Sequence, residues 1–329
     1  MSRKGLRGET VTDQRAEHKA TAGTQKRPSI RRSWSVWWQL LRPHTLGASI
    51  VPVSTGTAAA SLTGPIDYPL FLGMLLTSVL LQSATNMFNE YFDYQKGLDT
   101  ADSVGIGGAI VRHGIKPRTV FGAAVAASVA ALATGAYICR RTTWWLAPVG
   151  LLSLAAGFLY TGGPLPIAYT PLGELTAGFF MGLVIVLVSF FVQAGHLSPV
   201  AFWVAVPQMV LIGAILAANN IRDRERDRAK GRKTLAVLLG KDNAVLLLAA
   251  MFAFAYLWTV AAVAYGALNV WSLLVFLSLP KAQAAIRAFK GKDTPAEMMP
   301  AMKATAQTNN WFGLFLVLAL LIGTAAPGR

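Results

Sequence analysis

The sequence predicts an all-α integral membrane protein with about nine transmembrane helices. Three observations carry that prediction. First, 54% of the 329 residues are hydrophobic and only 14% are charged, with positive mean hydropathy, a balance foreign to water-soluble domains. Second, nine apolar runs of about the length needed to cross a bilayer lie near residues 45–62, 70–92, 119–139, 143–160, 173–193, 198–220, 243–265, 268–288 and 309–326. Third, 26 of the 30 Lys and Arg residues fall in 1–42, 93–118, 221–242 and 287–308, segments that alternate with nearly uncharged loops. A net charge of +15 suggests nucleic acid, but this alternation is the pattern of cytoplasmic loops in a membrane protein. No nucleic-acid partner is expected. The N-terminus is placed in the cytoplasm and, with nine spans, the C-terminus outside, in a multi-pass protein of the cell membrane.

Residues 1–33 are polar and basic, and are expected to be a disordered tail attracted weakly to anionic lipid; residues 34–329 form the transmembrane domain. No apolar h-region precedes the first run, which argues against a cleaved signal peptide. In "SWSVWWQLLRP", Trp34, Trp37, Trp38 and Leu41 follow i, i+3, i+4, i+7, the spacing of a short interfacial helix. A stacking platform for an aromatic substrate is the functional alternative. The second run ends in "NMFNEYFDYQKGLD", residues 86–99, and the sixth closes with "ANNIRDRERDRAKGRKTL", residues 218–235. Charge so close to hydrocarbon is costly and points to function. Cys139 is the only cysteine, so neither an intrachain disulfide nor a thiolate metal cluster can form. The eighth run carries Pro280, Lys281 and Arg287 and is expected to be bent or short.

Residues four apart share a helix face, which places Asn89 beside Asp93 and makes a ladder of Asn219, Asp223 and Asp227. Gly97 permits a turn that returns Asp99 toward Asp93. Oxygen donors without His or Cys suit a hard cation such as Mg²⁺, which takes one or two protein carboxylates and fills its shell with water and phosphate oxygens. Lys96, Arg112, Lys116, Arg222, Lys230 and Lys233 are close in sequence and could bind phosphate, Arg as a fork and Lys as a point charge. A magnesium–diphosphate site between two helix ends follows, with metal reversing the repulsion of the carboxylates. The plainer reading of "RDRERDR" is a solvated helical extension that serves orientation. Topology alone does not explain two asparagine–aspartate ladders at corresponding helix ends, since acidic residues contribute little to it; paired ends also resemble internal repeats that place a site at their interface.

The motifs "NMFNEYFDYQKGLDT", "GIGGAIVRHGIKP", "YTGGPLPIAYTPLGEL" and "NNIRDRERDRAKGRKTLAVLLG" together resemble the UbiA superfamily of intramembrane prenyltransferases, in its 1,4-dihydroxy-2-naphthoate polyprenyltransferase branch. That resemblance implies nine helices around a central cavity open to cytoplasm and lipid. It also implies Mg²⁺, two ions bound with diphosphate, held by Asn89, Asp93 and Asp99 in one loop and Asn219, Asp223 and Asp227 in the other. The implied reaction joins a polyprenyl diphosphate to 1,4-dihydroxy-2-naphthoate with loss of CO₂, giving demethylmenaquinone. Asp93, Asp223 and Asp227 carry the catalytic role.

Two departures from the family pattern stand out. Glu90 replaces an Asp common in relatives, at a position facing away from Asn89 and Asp93, and the basic residues that follow the tyrosine in hydroxybenzoate-type relatives are absent after Tyr160. Diphosphate binding therefore shifts toward Lys96, Arg112 and Lys233, with Arg222 beside the second ladder. Tyr160 is a candidate for contact with diphosphate or cation, or an interfacial tyrosine. Glu174 either contacts the acceptor or caps a helix start. Gln82 reaches the cavity or bonds a neighbouring helix, and His113, with neither a second His nor an evident orienting acid near it in sequence, reads as a loop residue rather than a ligand or base. Gly105, Gly107 and Gly108 would let 100–118 act as a lid. A related enzyme with another acceptor, such as 4-hydroxybenzoate, and a membrane transporter are the alternatives; polar residues gathered at cytoplasmic ends disfavour transport.

Overall fold

The computed structural model describes residues 36–42, 45–99 and 108–325. The basic tail, Trp34, Gly105 and Gly107 lie outside them, as do residues 100–107 of the segment considered as a lid. The helices are α1 (Gly47–Ala60), α2 (Tyr68–Gln95), α3 (Pro117–Arg141), α4 (Leu146–Thr161), α5 (Gly173–Ala194), α6 (Pro199–Ala229), the short α7 (Leu235–Leu239), α8 (Lys241–Ala264), α9 (Val270–Phe289) and α10 (Met299–Ala325). Among the described residues there is no strand. Helices α2, α3, α5, α6, α8, α9 and α10 are long and apolar enough to cross a membrane, and the chain is a multi-pass membrane protein. The first and fourth apolar runs form the shorter α1 and α4, of 14 and 16 residues, so the count of nine is approximate.

Local sequence sets most of these boundaries. Asp67 caps α2 by accepting from the Leu70 amide at 3.0 Å, and Pro117 and Pro199 open α3 and α6, where a missing N–H costs nothing. Gly195, at φ 74°, closes α5 in the left-handed region. The bend expected around Pro280 takes a specific form: Val270–Ser278 is a 3₁₀ helix, and Leu279–Phe289 continues as α-helix with Pro280 in its first turn. The last helix starts at Met299, ten residues before the apolar run.

The turn of helix at 36–40 buries Val36 and Leu40 and packs Trp37 beside them, while Trp38 stays 57% exposed. Its inward face is therefore aliphatic and differs from the tryptophan stripe expected from spacing. Cys139 is a buried free thiol.

One apolar cluster joins α1, α5, α6, α8, α9 and α10, and a second joins the 36–40 turn, α2, the chain at 109–110 and α3. Between them lies a cavity of about 470 Å³ that runs from Asn89 and Asn219 at one end to Trp144 and Leu146 at the other. At that far side, Asp67 exchanges two hydrogen bonds with Gln193, at 2.8 and 3.1 Å, and pairs with Arg141 at 2.9 Å. This ties the outer ends of α2, α3 and α5 and gives Arg141 a partner on a face with few charges.

Helix α5 widens to π-helix over Gly178–Val184 where it meets α6. A Cβ at Gly182 would collide with the backbone of Met209. Gly182→Val should therefore push the two helices apart at a cost of about 1–3 kcal/mol. Gly122→Ala in α3, with open space around it, serves as the control. A lowered thermal unfolding midpoint in detergent for the first variant only is the expected result.

Candidate active site at the polar end of the cavity

The site exists because two helices are too long for the bilayer. Helices α2 and α6, of 28 and 31 residues, measure about 42 and 46 Å at 1.5 Å per residue, against about 30 Å of hydrocarbon. Their last turns therefore carry polar side chains beyond the apolar layer. Asn89 and Asn219 line the cavity mouth, and Asp93, Asp223 and Asp227 continue the same helices outward.

The two ladders meet through one guanidinium. Arg232 donates from Nη2 to Asp93 at 2.9 Å and from Nη1 to Asp227 at 3.3 Å, and it lies 4.9 Å from the centre of the Tyr169 ring. Burial opposes its charge, but Asp93 and Asp227 outweigh that and hold the guanidinium above its ordinary pKa. Asp227 is 1% exposed, so without Arg232 it would be a buried uncompensated carboxylate. Arg222 grips Asp223 bidentately at 2.9 and 2.7 Å. Arg226 adds a contact to Asp223 at 3.1 Å and reaches Asp99 at 3.8 Å.

Asp99 comes back toward Asp93 as expected: with Gly97 at φ 64°, the Leu98 and Asp99 amides bond the Asp93 carbonyl at 2.8 and 3.4 Å. Its pKa is pushed up to about 6, first by burial and then by the Asp93 and Glu90 carboxylates. Lys96 donates to the Thr161 carbonyl at 2.6 Å and sits 5.2 Å from the Tyr169 ring. Burial lowers its pKa, against the pull of Asp93. Thr161 in turn donates to Asn89 Oδ1 at 2.7 Å, fixing the amide at the end of α4.

The remaining sequence-derived candidates divide. Tyr160 and Gln82 line the cavity. Glu174 is buried and accepts from Asn220 at 2.9 Å, which places it beside the second ladder. Arg112 is exposed, with its guanidinium over the Cα face of Gly108. Lys116, Lys230 and Lys233 are exposed; the Lys233 amide bonds the Tyr169 carbonyl at 2.9 Å, while its neighbour Arg232 takes the place among the carboxylates. His113 meets Gln39 at 3.3 Å on the surface.

Sequence reasoning missed Arg232, Arg226, Tyr169 and Arg42, and it undervalued Glu90. The signal for Arg232 was Gly231: at φ 75° it ends α6 and turns the next side chain back toward Asp227. Glu90 does not face away from Asp93: three residues apart, the two lie about 60° apart around α2, and Glu90 is 1% exposed and accepts from the Gly108 amide at 2.8 and 2.9 Å and from the Ile110 amide at 3.3 Å. Arg42, which also lines the cavity, lies 3.8 Å away.

Among the described residues no three His, Cys, Asp or Glu side chains form a ready-made metal cage. The donors nevertheless fit magnesium, because each helix end offers hard oxygens in the small number this ion takes from a protein. Asp99 shares its surroundings with the Asp93 and Glu90 carboxylates, and its arginine contact, Arg226 at 3.8 Å, is a long one. The arginines are already paired with aspartates, so an arriving diphosphate would bring charge that only additional cations offset.

The model of the UbiA prenyltransferase family matches residues 49–303. The 1,4-dihydroxy-2-naphthoate octaprenyltransferase of Bacillus subtilis (strain 168) is 52% identical over 298 residues, 91% of this chain and 96% of that protein. A solved UbiA homologue from Archaeoglobus fulgidus, bound to DMAPP and Mg²⁺, superposes with a TM-score of 0.61 at 17% identity, covering 86% of this chain and 99% of its own. The apo UbiA homologue from Aeropyrum pernix K1 gives 0.64 at 18% identity, with 83% and 97% covered.

Glu90→Ala would strip the Gly108 and Ile110 amides of their acceptor at a cost of about 2 kcal/mol or more. Hydrogen exchange should quicken at those two amides while α6 keeps its protection.

Proposed function

The chain belongs to the UbiA prenyltransferase family, and from that membership we infer that it transfers a polyprenyl group from polyprenyl diphosphate to 1,4-dihydroxy-2-naphthoate, with decarboxylation. The product is demethylmenaquinone in its reduced quinol form, a step of menaquinone biosynthesis. The observation that carries this reading is the meeting of two asparagine–aspartate ladders, through Arg232, at the polar mouth of one apolar cavity. Identity of 52% to a naphthoate octaprenyltransferase over nearly the whole chain supports the acceptor.

Asn89, Asp93, Asp99, Asn219, Asp223 and Asp227 would hold Mg²⁺, two ions together with the diphosphate. Bound there, magnesium supplies the positive charge that lets diphosphate depart. Arg232 and Arg222, fixed by Asp93, Asp227 and Asp223, and Lys96 point positive charge at the same leaving group, preorganised rather than recruited. The allylic C–O bond breaks with its electron pair going to diphosphate. The ring of Tyr160 at the cavity wall faces the resulting positive charge. The electron-rich naphthoate carbon that bears the carboxylate forms the new C–C bond, and the pair released as CO₂ departs restores the aromatic ring. Side chains such as Leu81, Phe180, Met181, Ile212 and Leu216 line the cavity and exclude water that would quench the cation. Because 26 of 30 basic residues lie in alternate segments, the polar mouth faces the cytoplasm, with the N-terminus on that side.

Purified protein in lipid, given a polyprenyl diphosphate and carboxyl-labelled 1,4-dihydroxy-2-naphthoate, should release label as CO₂ in step with prenylated quinol, and chelation of magnesium should stop both. Prenylation of 4-hydroxybenzoate alone would refute the acceptor while sparing the site. In the same assay, Asp93→Ala and Asp223→Ala should abolish turnover in protein that still folds, and retained magnesium-dependent turnover in both would refute the site. Arg232→Ala should lower turnover by about a hundredfold, whereas Lys233→Ala, on an exposed side chain, should stay within about threefold.

A further inference from the structure

Among the described residues that line the cavity, one carries a charge: Arg42. The arginines assigned to the leaving group, Arg232 and Arg222, stand in the polar turns beyond the mouth and are matched to aspartates, as is Arg226. Arg42 is matched loosely. Its contact with Glu90 is 3.8 Å, too long for a hydrogen bond, and the Glu90 oxygens already accept from the Gly108 and Ile110 amides. Its Nε is buried without a hydrogen-bond partner, while the side chain keeps 25% of its surface. The backbone is unusual as well: among the described residues Arg42 alone combines a positive φ, 52°, with a side chain. That turn is fixed by its amide to the Gln39 carbonyl at 3.0 Å and by the Thr45 amide and hydroxyl to its carbonyl, both at 2.8 Å. Strain held in this way gathers at ligand clamps.

The height of the guanidinium follows from its ties to α2. Asn86 donates to the Leu41 carbonyl at 3.1 Å, so the Arg42 backbone stands at the level of Asn86. The guanidinium approaches Glu90, one turn further out along α2, and its charge favours the ionised form of Asp99. Its head group therefore lies between the levels of Asn86 and Glu90, at the height of Asn89, where the first ladder begins. The acceptor's reacting carbon bears its carboxylate directly. A ring placed with that carbon at the ladders brings the carboxylate to the same height as Arg42.

We propose that Arg42 binds the carboxylate of the aromatic acceptor, and so determines that the acceptor is carboxylated and how its reacting carbon is aimed. This rests on the naphthoate reading above. A carboxylate that enters an apolar cavity loses hydration, and a charged partner offsets that loss. A guanidinium does so with two parallel N–H donors in fixed geometry. Departure of CO₂ turns the bound anion into a neutral molecule, so the quinol product leaves without breaking an ion pair.

The test uses the full-length protein in lipid, with separate KM values for acceptor and donor. Arg42→Gln should raise the acceptor KM about ten- to a hundredfold, the usual worth of a charged hydrogen bond, with the donor KM unchanged. Arg42→Lys, which keeps the charge and loses the fork, should fall between. As competitive inhibitors of the wild-type protein, 1-hydroxy-2-naphthoate should outdo 1-naphthol by a similar factor, and Arg42→Gln should erase the difference. A donor KM that rises while the acceptor KM holds would assign Arg42 to diphosphate and overturn the proposal. Two unchanged KM values would leave Arg42 as a counter-charge for Glu90 and overturn it equally. If the variants do not fold, the wild-type inhibitors decide alone, since equal inhibition by the two compounds also overturns it. Failure of the wild-type protein to use the naphthoate at all would instead refute the parent reading.

Discussion

Charge compensation at the edge of hydrocarbon is the constraint around which this structure is arranged. Asp93 and Asp227 come from helices far apart in sequence, and each alone would be an anion held away from water at a large cost. Arg232 makes them one unit. Its guanidinium suits this because two N–H groups can point at two different carboxylates while the flat face rests on Tyr169. Lys96 approaches the other carboxylate-bearing loop through the same tyrosine. The result is a rim in which charges are paired before any ligand arrives, and where a multiply charged ligand must bring its own cations.

The apolar cavity below that rim gives the charges their chemical value. With Leu, Ile, Phe and Met side chains for walls, it has a low local dielectric, in which oriented donors act more strongly than in water. The same helices supply both regions: α2 passes from Met74 and Ser78 through Gln82 to Asn89 and Asp93, so one element grades from lipid-like to ionic. Glu90, beside Asp93 on the same helix, holds the chain at 108–110. A single helix thus sets the spacing between cavity, ladder and loop.

Much of this was legible in the sequence, because helix length, apolar runs and four-residue spacing are local properties. The runs became helices, the two ladders met, Gly97 turned Asp99 back, and Pro280 changed the helix type. What stayed hidden depended on contacts between distant segments. Arg232, the neighbour of the candidate Lys233, was not singled out, because only the left-handed Gly231 turns it toward the carboxylates. The aliphatic face of the 36–40 turn was equally invisible, since it depends on α2 and α3 arriving beside it. Glu90 looked like a conservative exchange, and its buried bonds to 108–110 required the fold.

The bonds at the far side of the molecule differ in kind from those at the rim. Asp67, Gln193 and Arg141 clasp the outer ends of α2, α3 and α5 with partners that no substrate approaches, while the opposite ends are joined by ion pairs that a charged ligand competes for. A charged ligand therefore competes at the rim alone and leaves the far clasp, two of whose three bonds are neutral, in place.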